Sequence, residues 1–147
     1  MRLSILFVCA ILLTSCNGTD PVKEAAELED IAAFISKKGL NLTKTDSDVY
    51  FEILQEGTGQ EVQYADEISV IYEGRFLNDV LFDERKTPIS FNLRNLIPAW
   101  KEVIPGQKVG TKLRIVTPSK MGYRDQDNGD IPPYSTLHFI IEIVEVK

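Results

Sequence analysis

Side chains able to carry covalent chemistry are scarce in this chain. One histidine, His138, and two cysteines, Cys9 and Cys16, stand among 147 residues, too few for a zinc site or a disulfide framework. The chain has no Gly-x-Ser-x-Gly elbow, phosphate-cradling glycine loop or Cys-x-x-Cys pair. His138 sits in an alternating run beside Phe139, where a lone histidine reads as structural rather than as a base. The run Asp125-Gln126-Asp127-Asn128-Gly129-Asp130 looks like half a calcium loop. Its glycine is fifth instead of sixth and the bidentate Glu is missing, so it reads as an acidic solvated turn. What remains is aromatic: Tyr72, Phe82, Trp100, Tyr123 and Phe139, with one acid, Asp83, beside Phe82. Such a set either fills a core or lines an apolar pocket. With 22 acidic against 16 basic residues and a net charge of −6, a nucleic-acid partner is disfavoured.

These residues must be positioned by strands. From Asp48 onward the apolar period is two. Val49–Leu54 precedes the turn Glu56-Gly57-Thr58-Gly59. Then Ile68, Val70, Tyr72, Gly74 and Phe76 alternate with Ser69, Ile71, Glu73 and Arg75. Leu113, Ile115 and Thr117 mark another strand. The last strand carries Leu137, Phe139, Ile141 and Ile143 on one side and Ile140, Val144 and Val146 on the other. Pro98 opens a short helix with Trp100, Val103 and Ile104, closed by Pro105-Gly106. The expected class is α+β: a twisted antiparallel β-sheet wrapped around a short helix and preceded by an N-terminal helix.

That first helix starts at Asp20-Pro21 and stops at Gly39, with Leu28, Ile31, Ala32 and Ile35 as its apolar stripe. Acids near its start and Lys37-Lys38 at its end suit the helix dipole. Packing on the domain is the favoured reading over a spacer or dimerisation helix. Ahead of it, Arg2 and the apolar run Leu3–Leu13 form a secretory h-region, too short for the about 20 residues of a membrane span. Leu13-Thr14-Ser15-Cys16 resembles a bacterial lipobox, cut before Cys16, whose thiol then carries lipid (palmitate among its acyl groups); an ordinary signal peptide is the alternative. The expected organisation is 1–15 signal peptide, 16–47 lipidated tether and helix, and 48–147 the folded domain. Losing residues 1–15 removes Arg2 and no acid, so the mature surface gains nothing from anionic lipid and the acyl chains must hold it to the membrane.

Six segments together carry a resemblance. Val70-Ile71-Tyr72-Glu73-Gly74, Leu81-Phe82-Asp83, Leu96-Ile97-Pro98-Ala99-Trp100, Val109-Gly110-Thr111-Lys112, Pro118-Ser119-Lys120-Met121-Gly122-Tyr123 and Ile131–Phe139 follow in order. They resemble the motifs of FK506-binding-protein (FKBP) type prolyl isomerases over roughly residues 48–147. The resemblance implies that Tyr72, Phe82, Trp100 and Phe139 line a pocket for a proline ring, with Trp100 as its floor. It implies that Leu96 and Ile97 form a rim, the Ile97 amide donating to the bound peptide. Asp83 faces the mouth, the Tyr123 hydroxyl meets a substrate carbonyl, Ile131 covers the pocket, and Ile89 fills a usually aromatic position. Ala99 and Arg124 replace glycines of the pattern, and Glu84–Pro88 is shorter than in the best-known members.

An X–Pro bond turns over a barrier of about 18–20 kcal/mol set by amide resonance, without breaking a bond, so neither metal nor nucleophile is required. The implied activity is a prolyl isomerase without cofactor, acting on proline-containing polypeptides, with macrolides such as FK506 as candidate ligands. The expected location is the bacterial envelope, facing the periplasm and anchored to a membrane through Cys16. A catalytically weak proline-peptide binding module is the alternative. An accessory lipoprotein of an envelope machine is another, since the layout resembles gliding-associated lipoproteins of this family.

Overall fold

The period-two segments pair into one six-stranded, wholly antiparallel sheet. The computed structural model describes residues 21–147; the signal segment, Cys16, the tether and Asp20 lie outside the described residues. The strands are β1 (Thr43–Lys44), β2 (Tyr50–Gln55), β3 (Glu67–Phe76), β4 (Leu81–Asn92), β5 (Lys112–Thr117) and β6 (Leu137–Val146), in the spatial order β1-β2-β5-β6-β3-β4. Helix α1 spans Pro21–Lys38 and α2 spans Pro98–Val103. Among these residues no helix is long and apolar enough to cross a membrane.

The two helices cover opposite faces. Alternate residues of β3, β5 and β6, among them Val70, Ile115, Phe139 and Ile141, are buried in one core with Trp100 and Val103 of α2. On the other face, Val116 and His138 sit opposite one another in the β5–β6 register. Ile31 and Phe34 of α1 bury against Val116, with Tyr50 and Leu77 beside them. The helix therefore packs on the domain. Its buried stripe is turned from the expected one: Ala32 is exposed and Phe34 is buried. The ring offers far more apolar area than a methyl group, so the helix presents its Phe34 side to the sheet. Gly39 ends α1 with φ +63°, and the Leu40 N–H closes the turn on the Ile35 carbonyl at 3.0 Å.

Two irregularities matter for the site. The β3–β4 register shifts between Val70 opposite Ile89 and Tyr72 opposite Arg85, so residues 86–88 bulge from the ladder. The β3–β6 register shifts between Ser69 and Val70, which puts β6 out of phase and returns Val146 to the core face with Ile143. Val146 therefore joins the core side rather than the side expected from simple alternation.

Candidate functional site

The core face of the sheet does not close completely over α2. A cavity of about 500 Å³ remains, inside the roughly 300–1,000 Å³ of small-ligand sites. All ten pocket residues expected from the sequence line it together: Tyr72, Phe82, Asp83, Ile89, Leu96, Ile97, Trp100, Tyr123, Ile131 and Phe139. Cys16 lies outside the described residues.

Register explains how distant residues converge. Tyr72 opposes Ile141, and Gly74 opposes Phe139 on one side and Asp83 on the other. Gly74 is required by its neighbours: a Cβ there would stand 2.6 Å from two ring atoms of Phe82 and 3.0 Å from Phe139. The Tyr-x-Gly spacing of β3 thus makes room for the Phe82 ring. The aromatic rings then lock edge to face. Tyr72 meets Trp100 at 5.4 Å and 83°, Trp100 meets Phe139 at 5.3 Å and 88°, and Phe139 meets Phe82 at 5.7 Å and 87°. Such T-shaped pairs align the positive ring edge with a negative face and fix the wall geometry. Trp100 is 4% exposed, and its Nε1–H finds no acceptor among the described residues.

Pro98 at the first position of α2 sets the helix entry. The Ile97 carbonyl accepts from the Trp100 and Lys101 amides at 3.1 and 3.3 Å, whereas no backbone carbonyl among the described residues accepts from the Ile97 N–H. Ile97 thus offers a donor beside the pocket. Ala99, where the pattern has glycine, is fully buried in the core.

The polar groups are ordered too. The Tyr72 hydroxyl donates to the Asp83 carboxylate, and the Arg85 guanidinium lies 3.7 Å from the other carboxylate oxygen. Burial, then the bond to Asp83, raise the Tyr72 phenol far above its ordinary value. Burial and the Asp83 charge also raise Tyr123, against a smaller opposing effect of Asn128. Both phenols therefore keep their protons at neutral pH and act as donors.

The acidic turn positions the cover. Asn128 and Ile131 exchange backbone hydrogen bonds at 3.1 and 3.2 Å around Gly129, whose φ is +64°. This hairpin tip brings Ile131, 5% exposed, over the cavity. Arg124 adopts φ +61°, a conformation glycine takes at no cost, which explains the glycine of the resembled pattern. Among the described residues no group of three His, Cys, Asp or Glu gathers as a metal site.

Five further lining residues escaped sequence reasoning: Arg85, Phe91, Asn95, Asn128 and Asp130. Phe91 follows Ile89 by two and its ring lies 6.3 Å from Tyr72, so alternation along β4 could have found it. Asn128 and Asp130 belong to the turn read as merely solvated, and nothing in their spacing marked them.

Comparison with known proteins agrees with this geometry. Residues 59–144 match the family described as FKBP-type peptidyl-prolyl cis-trans isomerase. The FKBP-type peptidyl-prolyl cis-trans isomerase FkpA of Escherichia coli K12 is 32% identical over 127 residues, covering 84% of this chain and 46% of that protein. The FKBP-type 22 kDa isomerase of the same organism is 32% identical over 114 residues, covering 75% of this chain and 54% of that one. The chain thus spans about half the length of the curated relatives it matches. Among solved structures, a peptidyl-prolyl cis-trans isomerase from Pseudomonas syringae superposes with a TM-score of 0.75 at 28% identity, covering 88% of this chain and 99% of that one. The crystal structure of Escherichia coli FkpA gives 0.75 at 30% identity, covering 86% and 60%. With its aromatic wall built on the same fold and the family's sequence matched across β3 to β6, the chain belongs to the FKBP-type peptidyl-prolyl cis-trans isomerases.

Proposed function

We propose that this chain catalyses cis-trans isomerisation of X–Pro bonds in exported polypeptides, and that lipid on Cys16 holds it at the envelope, facing the periplasm. The observation that carries the catalytic reading is the cavity walled by Tyr72, Phe82, Trp100 and Phe139, with the Ile97 N–H and the Tyr123 hydroxyl as donors beside it. A prolyl ring suits this apolar wall. Moving the adjoining amide out of water disfavours its charge-separated resonance form, whereas the twisted transition state has already lost that resonance and is harmed less. Selective stabilisation of about 5 kcal/mol gives about a 10⁴-fold acceleration.

Donors from Ile97 and Tyr123 hold the flanking backbone while the bond turns. Asp83, engaged by Tyr72 and close to Arg85, orients the wall and supplies local field; no proton transfer is asked of it. Leu96, Ile89 and Ile131 complete the apolar surround. Anchoring rests on the run ending Leu13-Thr14-Ser15-Cys16, and macrolides such as FK506 are proposed ligands of the same cavity.

The test is NMR exchange on peptides varied before the proline, with the protein beside Asp83→Ala and Tyr123→Phe. Acceleration that weakens in both variants and is inhibited by FK506 supports the reading. Peptide binding without acceleration would replace it with a binding module. Mass spectrometry of the membrane fraction, with and without Cys16→Ser, checks the lipid.

A further inference from the structure

The segment that delivers Tyr123 and Ile131 to the cavity is gripped from outside by the first turns of α1. Lys23 Nζ stands 4.4 Å from the centre of the Tyr134 ring, within range of a cation–π contact. Glu24 forms an ion pair with Lys120, and the same ammonium reaches Asp48 Oδ2 at 2.6 Å. One turn further along, Glu27 meets Ser119: burial holds its carboxyl above the ordinary value, against the smaller opposing effect of hydrogen bonds from the Ser119 hydroxyl and amide. Lys23, Glu24 and Glu27 on one side of α1 thus address residues 134, 120 and 119.

Those three bracket the Tyr123 turn. The Ser119 carbonyl accepts from the Gly122 and Arg124 amides, each at 2.9 Å. The Lys120 carbonyl accepts from Arg124 Nε at 3.3 Å. The Tyr134 amide donates to the Arg124 carbonyl at 2.6 Å, closing the loop back on itself. Arg124, with its φ of +61°, is held in a conformation its own backbone disfavours. Internal hydrogen bonds shape the turn, and the contacts to α1 and Asp48 fix it against the rest of the domain. Lys120 links two separate elements, α1 through Glu24 and the approach to β2 through Asp48, and both carboxylates are largely shielded. Lys44 also reaches Asp48, at 2.7 Å, but only Lys120 ties the Asp48 carboxylate to Glu24 of α1, a geometrically demanding arrangement.

We propose that α1 is a brace for the active-site loop, with Lys120 as the positioning residue that ties Glu24 and Asp48 to the turn carrying Tyr123. None of these residues lines the cavity; they act by fixing where the Tyr123 hydroxyl and the Ile131 cover stand. The kinetic consequence rests on the isomerase reading above.

The experiment compares Lys120→Met, Lys120→Arg and Glu24→Gln, in the otherwise unchanged protein. Lys120→Met is expected to lower kcat/KM about tenfold, mostly through KM, well below its melting temperature. Amide hydrogen exchange is expected to rise across 119–134 and to stay unchanged in β3 and α2. Lys120→Arg is expected to keep wild-type values in both measurements, and Glu24→Gln, which spares the Asp48 pair, to raise exchange less than Lys120→Met. Lys120→Met with wild-type exchange across 119–134 would overturn the brace. So would faster exchange spread evenly over the sheet, which would report general loosening. If the unaltered protein proves not to be an isomerase, the exchange pattern alone still decides the brace.

Discussion

His138 makes the stability of this domain sensitive to mild acid. Its imidazole is buried between the sheet and α1, 5.4 Å from the Phe34 ring, and neither ring nitrogen has a hydrogen-bond partner among the described residues. Burial and then the Arg114 charge pull its pKa down to about 4; Asp79 and Glu73 oppose this and Lys38 adds to it. The unfolded chain binds the same proton near about 6.5. Folding therefore keeps its full stability above about pH 6.5 and loses it progressively toward pH 4, as the unfolded state takes up the proton first. That difference corresponds to roughly 3 kcal/mol, most of it already gone at pH 4.5. That is a large part of the about 5–15 kcal/mol of a typical domain. The assay is guanidinium unfolding at pH values from 7.5 to 4.5 for the wild type and His138→Leu, so that carboxylate titrations common to both cancel. The gap in favour of the variant is expected to widen by about 2–3 kcal/mol on acidification. As the chain has one histidine, its single imidazole resonance gives the folded-state midpoint directly. A midpoint at 6 or above, or parallel stability curves, would refute the argument.

Other perturbations test the packing of the site. Tyr72→Phe deletes the donor to Asp83 and is expected to cost about 1–2 kcal/mol in chemical denaturation, with weakened peptide turnover. Gly57→Ala would set a Cβ within 2.5–2.6 Å of the Thr111 amide and the Val109 and Lys108 carbonyls; backbone cannot yield, so loss of soluble folded protein on expression is expected. Gly74→Ala meets the Phe82 and Phe139 rings first, and since side chains can shift where backbone cannot, it should fold with a loss of about 1–3 kcal/mol and a smaller cavity, read as weaker peptide binding. Arg124→Gly relieves the left-handed backbone and should raise thermal stability by about 1 kcal/mol.

The legible part of this protein was its periodicity and its aromatic spacing. Alternation along β3 placed Val70, Tyr72 and Gly74 on the core face because a pleated strand allows no other arrangement. Pro98 announced α2 because its ring fits only the first helical turn. What escaped was whatever depends on breaks in the period. The β6 irregularity turned Val146 inward, and the choice of Phe34 over Ala32 was made by the surface that α1 found on the sheet. Asn128 and Asp130 reached the cavity through a hairpin tip whose composition resembles any solvated turn. The links from Lys23 and Glu24 to Tyr134 and Lys120 join residues about a hundred positions apart, and neither period nor motif relates them.

Strand β4 lies at the open edge of the sheet, with twelve residues. An unpaired edge of that length would invite any extended polypeptide beside it to add as a seventh strand. Here the bulge at 86–88 interrupts the ladder, Pro88 has no N–H to offer, and Glu84, Arg85 and Lys86 project charge along the rim. This edge is thus blunted against strand addition, and one route to aggregation is closed.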